Sequence, residues 1–152
     1  MNTPKIGFAR GRWGHQGAIK HFLINASGKF DNIGLYLIYE STPTEENLND
    51  VVPDLMVLDP HDGNKLLLWV EVTTTSQLAA MRRKCIRMME RFPDTIFYLY
   101  DYKEHAVYVY DKEQQRWLSS KDPDTEVMCA YINEPMLPLF VLRNLRPIDL
   151  IC

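Results

Sequence analysis

The chain has 152 residues, 46% of them hydrophobic and 24% charged, with a formal net charge of −3. That length is expected to make one domain, 1–152, with enough apolar material for a proper core. No apolar run reaches the roughly 18 residues of a membrane span, and the net charge gives no general attraction to nucleic acid. The opening MNTPKIGFARGRWG lacks the continuous apolar stretch of a secretory signal, so none is expected. Cys85, Cys129 and Cys152 are odd in number, widely spaced and form no CxxC pair. Neither a disulfide framework nor a zinc site is suggested, and a reducing, cytoplasmic setting is expected.

In chain order, GHQGAIKHFLINAS suits a helix over about 14–26, with Ala18, Phe22 and Asn25 on one stripe and Ile19 and Leu23 beside it. Gly28 follows as the expected stop. NIGLYLIYES, about 33–41, reads as a strand, and TPTEENLNDV as a polar loop. PDLMVLDP is a short strand ending at Pro60, HDGN a turn with Asp-Gly at its centre, and KLLLWVEVTTT the returning strand of a hairpin. From Ser76 to Phe92 the period changes to that of a helix, with Leu78, Met81, Cys85, Met88, Met89 and Phe92 on one stripe. Ser76 is the expected cap and Pro93 the stop. TIFYLYDY, HAVYVYDK and RWLSS read as further strands, then VMCAYIN as another. The proline-broken apolar tail PMLPLFVLRNLRPIDLIC is expected to pack on the sheet. Helix, three strands, helix, strand and extra strands predict an α/β protein with a mixed sheet sandwiched by helices.

Charge is unevenly spread. Residues 1–29 hold Lys5, Arg10, Arg12, Lys20 and Lys29 and no acid, while residues 76–91 hold Arg82, Arg83, Lys84, Arg87 and Arg91 against Glu90 alone. These are either two solvated helix faces or a basic rim able to hold a phosphate backbone.

The hairpin carries the feature that calls for chemistry. Glu71 lies inside an almost wholly apolar strand, where an unpartnered carboxylate is costly. By alternation Leu67, Trp69, Glu71 and Thr73 share one face of that strand, and Asp54, Met56 and Leu58 one face of its predecessor. Around the Asp-Gly turn Asp54 and Glu71 lie opposite one another, and register decides whether they point the same way. If they do, one takes a proton or a cation sits between them. Oxygen ligands of this kind suit Mg²⁺ or Mn²⁺, which can activate water and neutralise charge on a phosphate. Otherwise Asp54 caps a turn and Glu71 pairs with an arginine of the next helix.

Pro53-Asp54 opening one strand, then Glu71-Val72-Thr73 in the next, resembles the PD-(D/E)XK nuclease pattern, and the element order is similar to that of the restriction endonuclease-like core. More narrowly, His15-Gln16, VVPDLMVLDP, WVEVTTTS, the basic helix, FYLYDYKEHAVYVYDK and the apolar tail after PMLP together resemble the Uma-type endonuclease family over nearly the whole chain. The resemblance implies a metal-dependent phosphodiesterase on DNA. Asp54 and Glu71 would bind the metal, and the Val72 carbonyl could add a ligand. Thr73 stands where the motif places a lysine and cannot supply its charge. Either the lysine has moved to the helix, with Lys84 on the flank shared with Gln77 and Arg82 on the other, or the site no longer cuts. Glu40 is the candidate for a further acid. His15 is a candidate ligand, phosphate contact or proton shuttle, or else an exposed helix residue. Arg82, Arg83 and Arg87 are candidate phosphate contacts, and a homodimer is carried over from the fold.

His15 and His21 lie on different helix faces, which excludes a two-histidine zinc site, and His61 and His105 fall in turns without an expected role. There is no GxGxxG or Walker loop, and Ser41 is in no nucleophile elbow. The aromatic run at 97–110 reads as strands with alternating buried rings rather than as a base-stacking platform. The expected function is a Mg²⁺- or Mn²⁺-dependent endonuclease. The alternatives are a catalytically inactive copy serving as a nucleic-acid-binding or protein-interaction module, and a purely structural domain.

Overall fold

A computed structural model of the chain describes residues 14–39 and 52–142. Helix α1, His15–Asp31, is followed by strands β1 (Tyr36–Tyr39), β2 (Leu55–Asp59) and β3 (Lys65–Thr73). Helix α2, Leu78–Arg91, leads to β4 (Ile96–Asp101), β5 (Ala106–Asp111) and β6 (Arg116–Ser119). The six strands form one mixed sheet in the order β1-β2-β3-β4-β5-β6. Every pairing is antiparallel except β3 with β4, which is parallel and is bridged by α2. Parallel neighbours need such a crossover, and α2 supplies it. Among the described residues no helix is long and apolar enough to cross a membrane.

The helices cover opposite faces of the sheet. Ala18, Ile19, Phe22, Ala26 and Phe30 of α1 pack with Leu55, Val57, Leu68, Val70, Val72, Tyr98, Tyr100 and Val107. The other face presents Met56, Leu58, Trp69, Phe97, Leu99 and Tyr108 to Leu78, Met81, Cys85, Met88, Met89 and Phe92 of the α2 segment. That is the apolar stripe expected from the helical period.

Helix α1 runs past Gly28, which is exposed and inside the helix rather than its stop. Phe22, Ala26 and Phe30 follow at four-residue spacing and are fully buried, so continuing the helix completes its apolar stripe. The stop comes at Asn32–Gly34, where Gly34 takes φ +79° and Leu35 N–H closes onto the Phe30 carbonyl. The first strand therefore begins only at Tyr36. The short turn Leu137–Phe140 lies over α1 and the sheet, as expected of that part of the apolar tail; residues 143–152 lie outside the described residues. Asn25 Nδ2 donates to the Leu139 and Val141 carbonyls, both at 3.0 Å. Phe140 stacks on Tyr100 with centroids 4.0 Å apart, and its carbonyl lies 3.1 Å from His21 Nδ1.

The β2–β3 hairpin departs from simple alternation. Its tip is a 3-10 turn, Pro60–Asp62, followed by two left-handed residues, Gly63 (φ +62°) and Asn64 (φ +60°). Asp59 pairs with Lys65 and Leu58 with Leu66, but Val57 pairs with Leu68. Leu67 is a bulged residue with no partner in the ladder. It turns to the α1 face beside Leu68, so it does not share a face with Trp69, Glu71 and Thr73 as strict alternation predicts.

Two other expectations are corrected. Ser76 does not cap α2. Thr75–Gln77 forms a 3-10 turn first, Gln77 occupies the cap position without a side-chain bond, and Ser76 Oγ lies 3.2 Å from Thr74 Oγ1. VMCAYIN yields only the two-residue strand β7, Met128–Cys129, paired with β8, Glu134–Pro135. Tyr131 (φ +74°) and Asn133 (φ +54°) adopt left-handed conformations between them, which ends any longer strand.

Candidate active site

The bulge sets the register that matters. With Leu55 opposite Val70 and Met56 opposite Trp69, Asp54 stands across from Glu71 at the end of the hairpin. Met56 and Trp69 both belong to the cluster under α2, so by alternation Asp54 and Glu71 also face α2. Asp54 Oδ2 accepts the Val72 N–H at 2.7 Å and lies 3.1 Å from His15 Nε2, in the first turn of α1. Glu71 Oε2 accepts two donors, Trp69 Nε1–H at 3.0 Å and Lys84 Nζ at 2.9 Å. The Glu71 side chain is only 2% exposed. Its pKa is pushed up from 4.5 to about 7, first by burial and then by the charge of Asp54, against the opposing pull of Lys84 and Trp69.

Lys84 reaches Glu71 because α2 crosses directly above β3 and β4. Its side chain is three-quarters covered, with the amine delivered at the strand. The phase of α2 is held from below. Asp101, fully buried at the end of β4, accepts the Thr75 hydroxyl at 2.6 Å on Oδ2 and the Lys103 and Glu104 N–H groups on Oδ1. This ties the turn before α2 to the sheet. Thr73 lies buried opposite Asp101 on the same face as Glu71, with its hydroxyl turned to the Thr74 carbonyl at 3.4 Å.

The structure thus brings together Asp54, Glu71, Lys84 and His15. The Val72 side chain packs on the opposite face, and what it gives Asp54 is its N–H. Gln77 is exposed at the start of α2 and has no side-chain hydrogen bond to Asp54 or Glu71 among the described residues. Arg82 lies on the other flank of α2, its guanidinium 4.9 Å from the Tyr108 ring centroid. Arg82 Nε is buried without a hydrogen-bond partner among the described residues. Arg83 and Arg87 are exposed on α2. Glu40 lies outside the described residues, as do Lys5, Arg10 and Arg12. His105, expected to be idle, bonds through Nδ1 to the Tyr100 hydroxyl at 2.7 Å. Trp69 is a functional residue that hydropathy patterning alone does not single out. Its signal was an N–H donor two residues before Glu71 on the same strand face.

Chemically, the site offers two facing carboxylates, each gripped through one oxygen. Among the described residues no hydrogen bond reaches Glu71 Oε1 or Asp54 Oδ1. No cluster of three or more His, Cys, Asp or Glu side chains forms a ready-made cage among them. The two open oxygens still match what Mg²⁺ or Mn²⁺ takes from a protein, one or two carboxylates with water completing the shell. Burial first, and the facing Asp54 second, raise the Glu71 pKa.

No family model matches the sequence, and no curated protein sequence does. In three dimensions the chain is similar to a crystal structure described as "a putative nuclease belonging to DUF820 from Anabaena variabilis". The TM-score is 0.56 at 17% identity, over 82% of this chain and 81% of that one. At that identity the likeness shows the fold alone, and the six-stranded mixed sheet between two helices is consistent with a restriction endonuclease-like fold.

Proposed function

We propose that the chain is a metal-dependent endonuclease of the PD-(D/E)XK type, Uma-like in its motifs, that hydrolyses DNA phosphodiester bonds. The observation that carries this reading is the pairing of Asp54 with Glu71 across β2 and β3, with Lys84 of the following helix at Glu71. Asp54 and Glu71, with the Val72 carbonyl as a further donor, would hold Mg²⁺ or Mn²⁺. A divalent cation so held supplies an acidified water and neutralises charge building on the phosphate. Lys84 takes the place of the motif lysine that Thr73 cannot fill, holding a positive charge beside the attacking water. Gln77, at the start of the same helix, orients that water from the open side. His15 steadies Asp54 through Nε2 and stands ready to take or give a proton at the mouth of the site. Arg83 and Arg87 on the outer side of α2, with Arg82 over Tyr108, supply charge for the DNA backbone. Glu40 is taken as a further acid, and a homodimer as the form that cuts both strands.

The second reading, a catalytically inactive module, is favoured by one observation. The only lysine at the carboxylates among the described residues already spends its charge on Glu71, and Thr73 adds none. Cleavage of supercoiled plasmid in Mg²⁺ or Mn²⁺, compared with Glu71→Ala, separates the two. The endonuclease reading expects nicking by the native protein alone. Equal activity in both proteins sinks it, and DNA retention without cleavage in either supports the module.

A further inference from the structure

We infer that Trp69 is a positioning residue for the cation site, a role that rests on the metal-dependent reading above. Trp69 is fully buried, and its ring is wedged between Phe92 and Phe97, with centroids 6.0 and 5.4 Å away. A ring so packed has one orientation, and its only polar atom donates to Glu71 Oε2 at 3.0 Å. A buried indole N–H needs a partner, and here the partner is a carboxylate with almost no access to water. Lys84 Nζ sits on the same oxygen. Two donors from different directions fix the plane of the carboxylate and occupy one of its oxygens. Oε1, which accepts no hydrogen bond among the described residues, is left for a ligand.

The two donors differ in kind. Lys84 arrives on a long, rotatable stem, and a cation held at the carboxylates would supply the charge that Lys84 now gives Glu71. Trp69 cannot move without dislodging the aromatic cluster. The indole therefore holds Glu71 in its ligating pose whatever Lys84 does, as partners behind a metal ligand commonly do. Along β3 around Glu71, Leu67, Leu68, Val70 and Val72 are apolar, and the Thr73 hydroxyl is turned to the Thr74 carbonyl.

The test is Mn²⁺ binding, followed by titration calorimetry and by the electron-spin signal of free Mn²⁺, in the native protein, Trp69→Phe, Phe97→Leu and Glu71→Gln. Trp69→Phe keeps a ring and loses the donor, whereas Phe97→Leu loosens the same cluster and keeps it. The expected result is affinity roughly 10- to 100-fold weaker in Trp69→Phe, near-native affinity in Phe97→Leu, and loss in Glu71→Gln. Native affinity in Trp69→Phe, or an equal loss in both packing variants, overturns the role of Trp69 and leaves the metal-dependent reading standing. No Mn²⁺ binding by the native protein overturns both. A second measurement needs no variant to fold. The chain has three tryptophans, Trp13, Trp69 and Trp117. Adding Mg²⁺ to native protein labelled at the indole nitrogens should shift one of the three resonances, and the absence of any shift overturns the inference.

Discussion

Glu71→Gln in EDTA-treated protein is the perturbation whose size follows most directly from the structure. Glu71 has its folded-state pKa raised from 4.5 to about 7. Below pH 4.5 both folded and unfolded chains carry the proton, and the stability linked to it is fully present. As the pH rises the unfolded chain releases its proton first, while the folded chain must either keep it or bury a charge. Stability is therefore lost progressively between about 4.5 and 7, and the loss is complete above that. At about 1.4 kcal/mol per pH unit the whole loss is roughly 3 kcal/mol. For a domain of this length that amounts to a fall of about 6–12 °C in Tm. The charges facing Glu71 are Asp54 and Lys84, with His15 behind Asp54. The neighbouring Cys85 thiol is pushed far up by burial and stays neutral. All of these remain in Glu71→Gln, so the difference between the two stability–pH curves isolates the Glu71 proton. Losing the Lys84 ion pair offsets the variant's curve without restoring its slope. Urea unfolding at half-unit steps from pH 4.5 to 8 measures both curves. If native and Gln proteins lose stability in parallel across that window, Glu71 is not the strained buried acid described here.

Lys84→Met removes the cation that offsets Asp54, so the Glu71 carboxyl should titrate still higher, as read by carboxyl-carbon NMR; under the proposed endonuclease function, plasmid nicking should be lost while far-ultraviolet dichroism is unchanged. Thr75→Val leaves an Asp101 oxygen buried without its donor and should cost about 1–3 kcal/mol; faster amide exchange over Leu78–Met81 would mark the loosened entry to α2. Asn25→Leu strips partners from the Leu139 and Val141 carbonyls, at a cost of about 1–3 kcal/mol, and should expose the 137–142 segment to limited proteolysis before the rest of the chain unfolds.

How much of this was readable beforehand follows the reach of each signal. The α2 stripe and the aromatic strands were legible because a single period, 3.6 or 2, decides which side chains meet. The end of α1 is less legible, because Gly28 signals a stop while the Phe22–Ala26–Phe30 spacing continues past it and prevails. The failed cap at Ser76 and the shortened strand at VMCAYIN share a cause. Each depends on a turn, Thr75–Gln77 in one case and Tyr131–Asn133 in the other, whose geometry is set by what lies beneath it. At the site, the residue types and the candidate lysine could be named from the sequence. Whether Asp54 and Glu71 face one another could not, because that depends on a bulge at Leu67 that no local pattern announces.

That bulge also divides the hairpin into two lengths of chain that answer to different demands. On the tip side, Asp59 and Lys65 are set by the Pro60–Asp62 turn and its left-handed exit. On the site side, Leu55 and Val70 are set by the apolar faces they fill. Leu67 takes up the mismatch, like slack in a belt. In an unbroken ladder running down from the tip, Asp54 would stand opposite Val70 and Glu71 would be left facing Pro53. A one-residue change of length near the tip could thus be absorbed at Leu67, with the two carboxylates unmoved. The tip of this hairpin is thus mechanically uncoupled from the end that holds the acids.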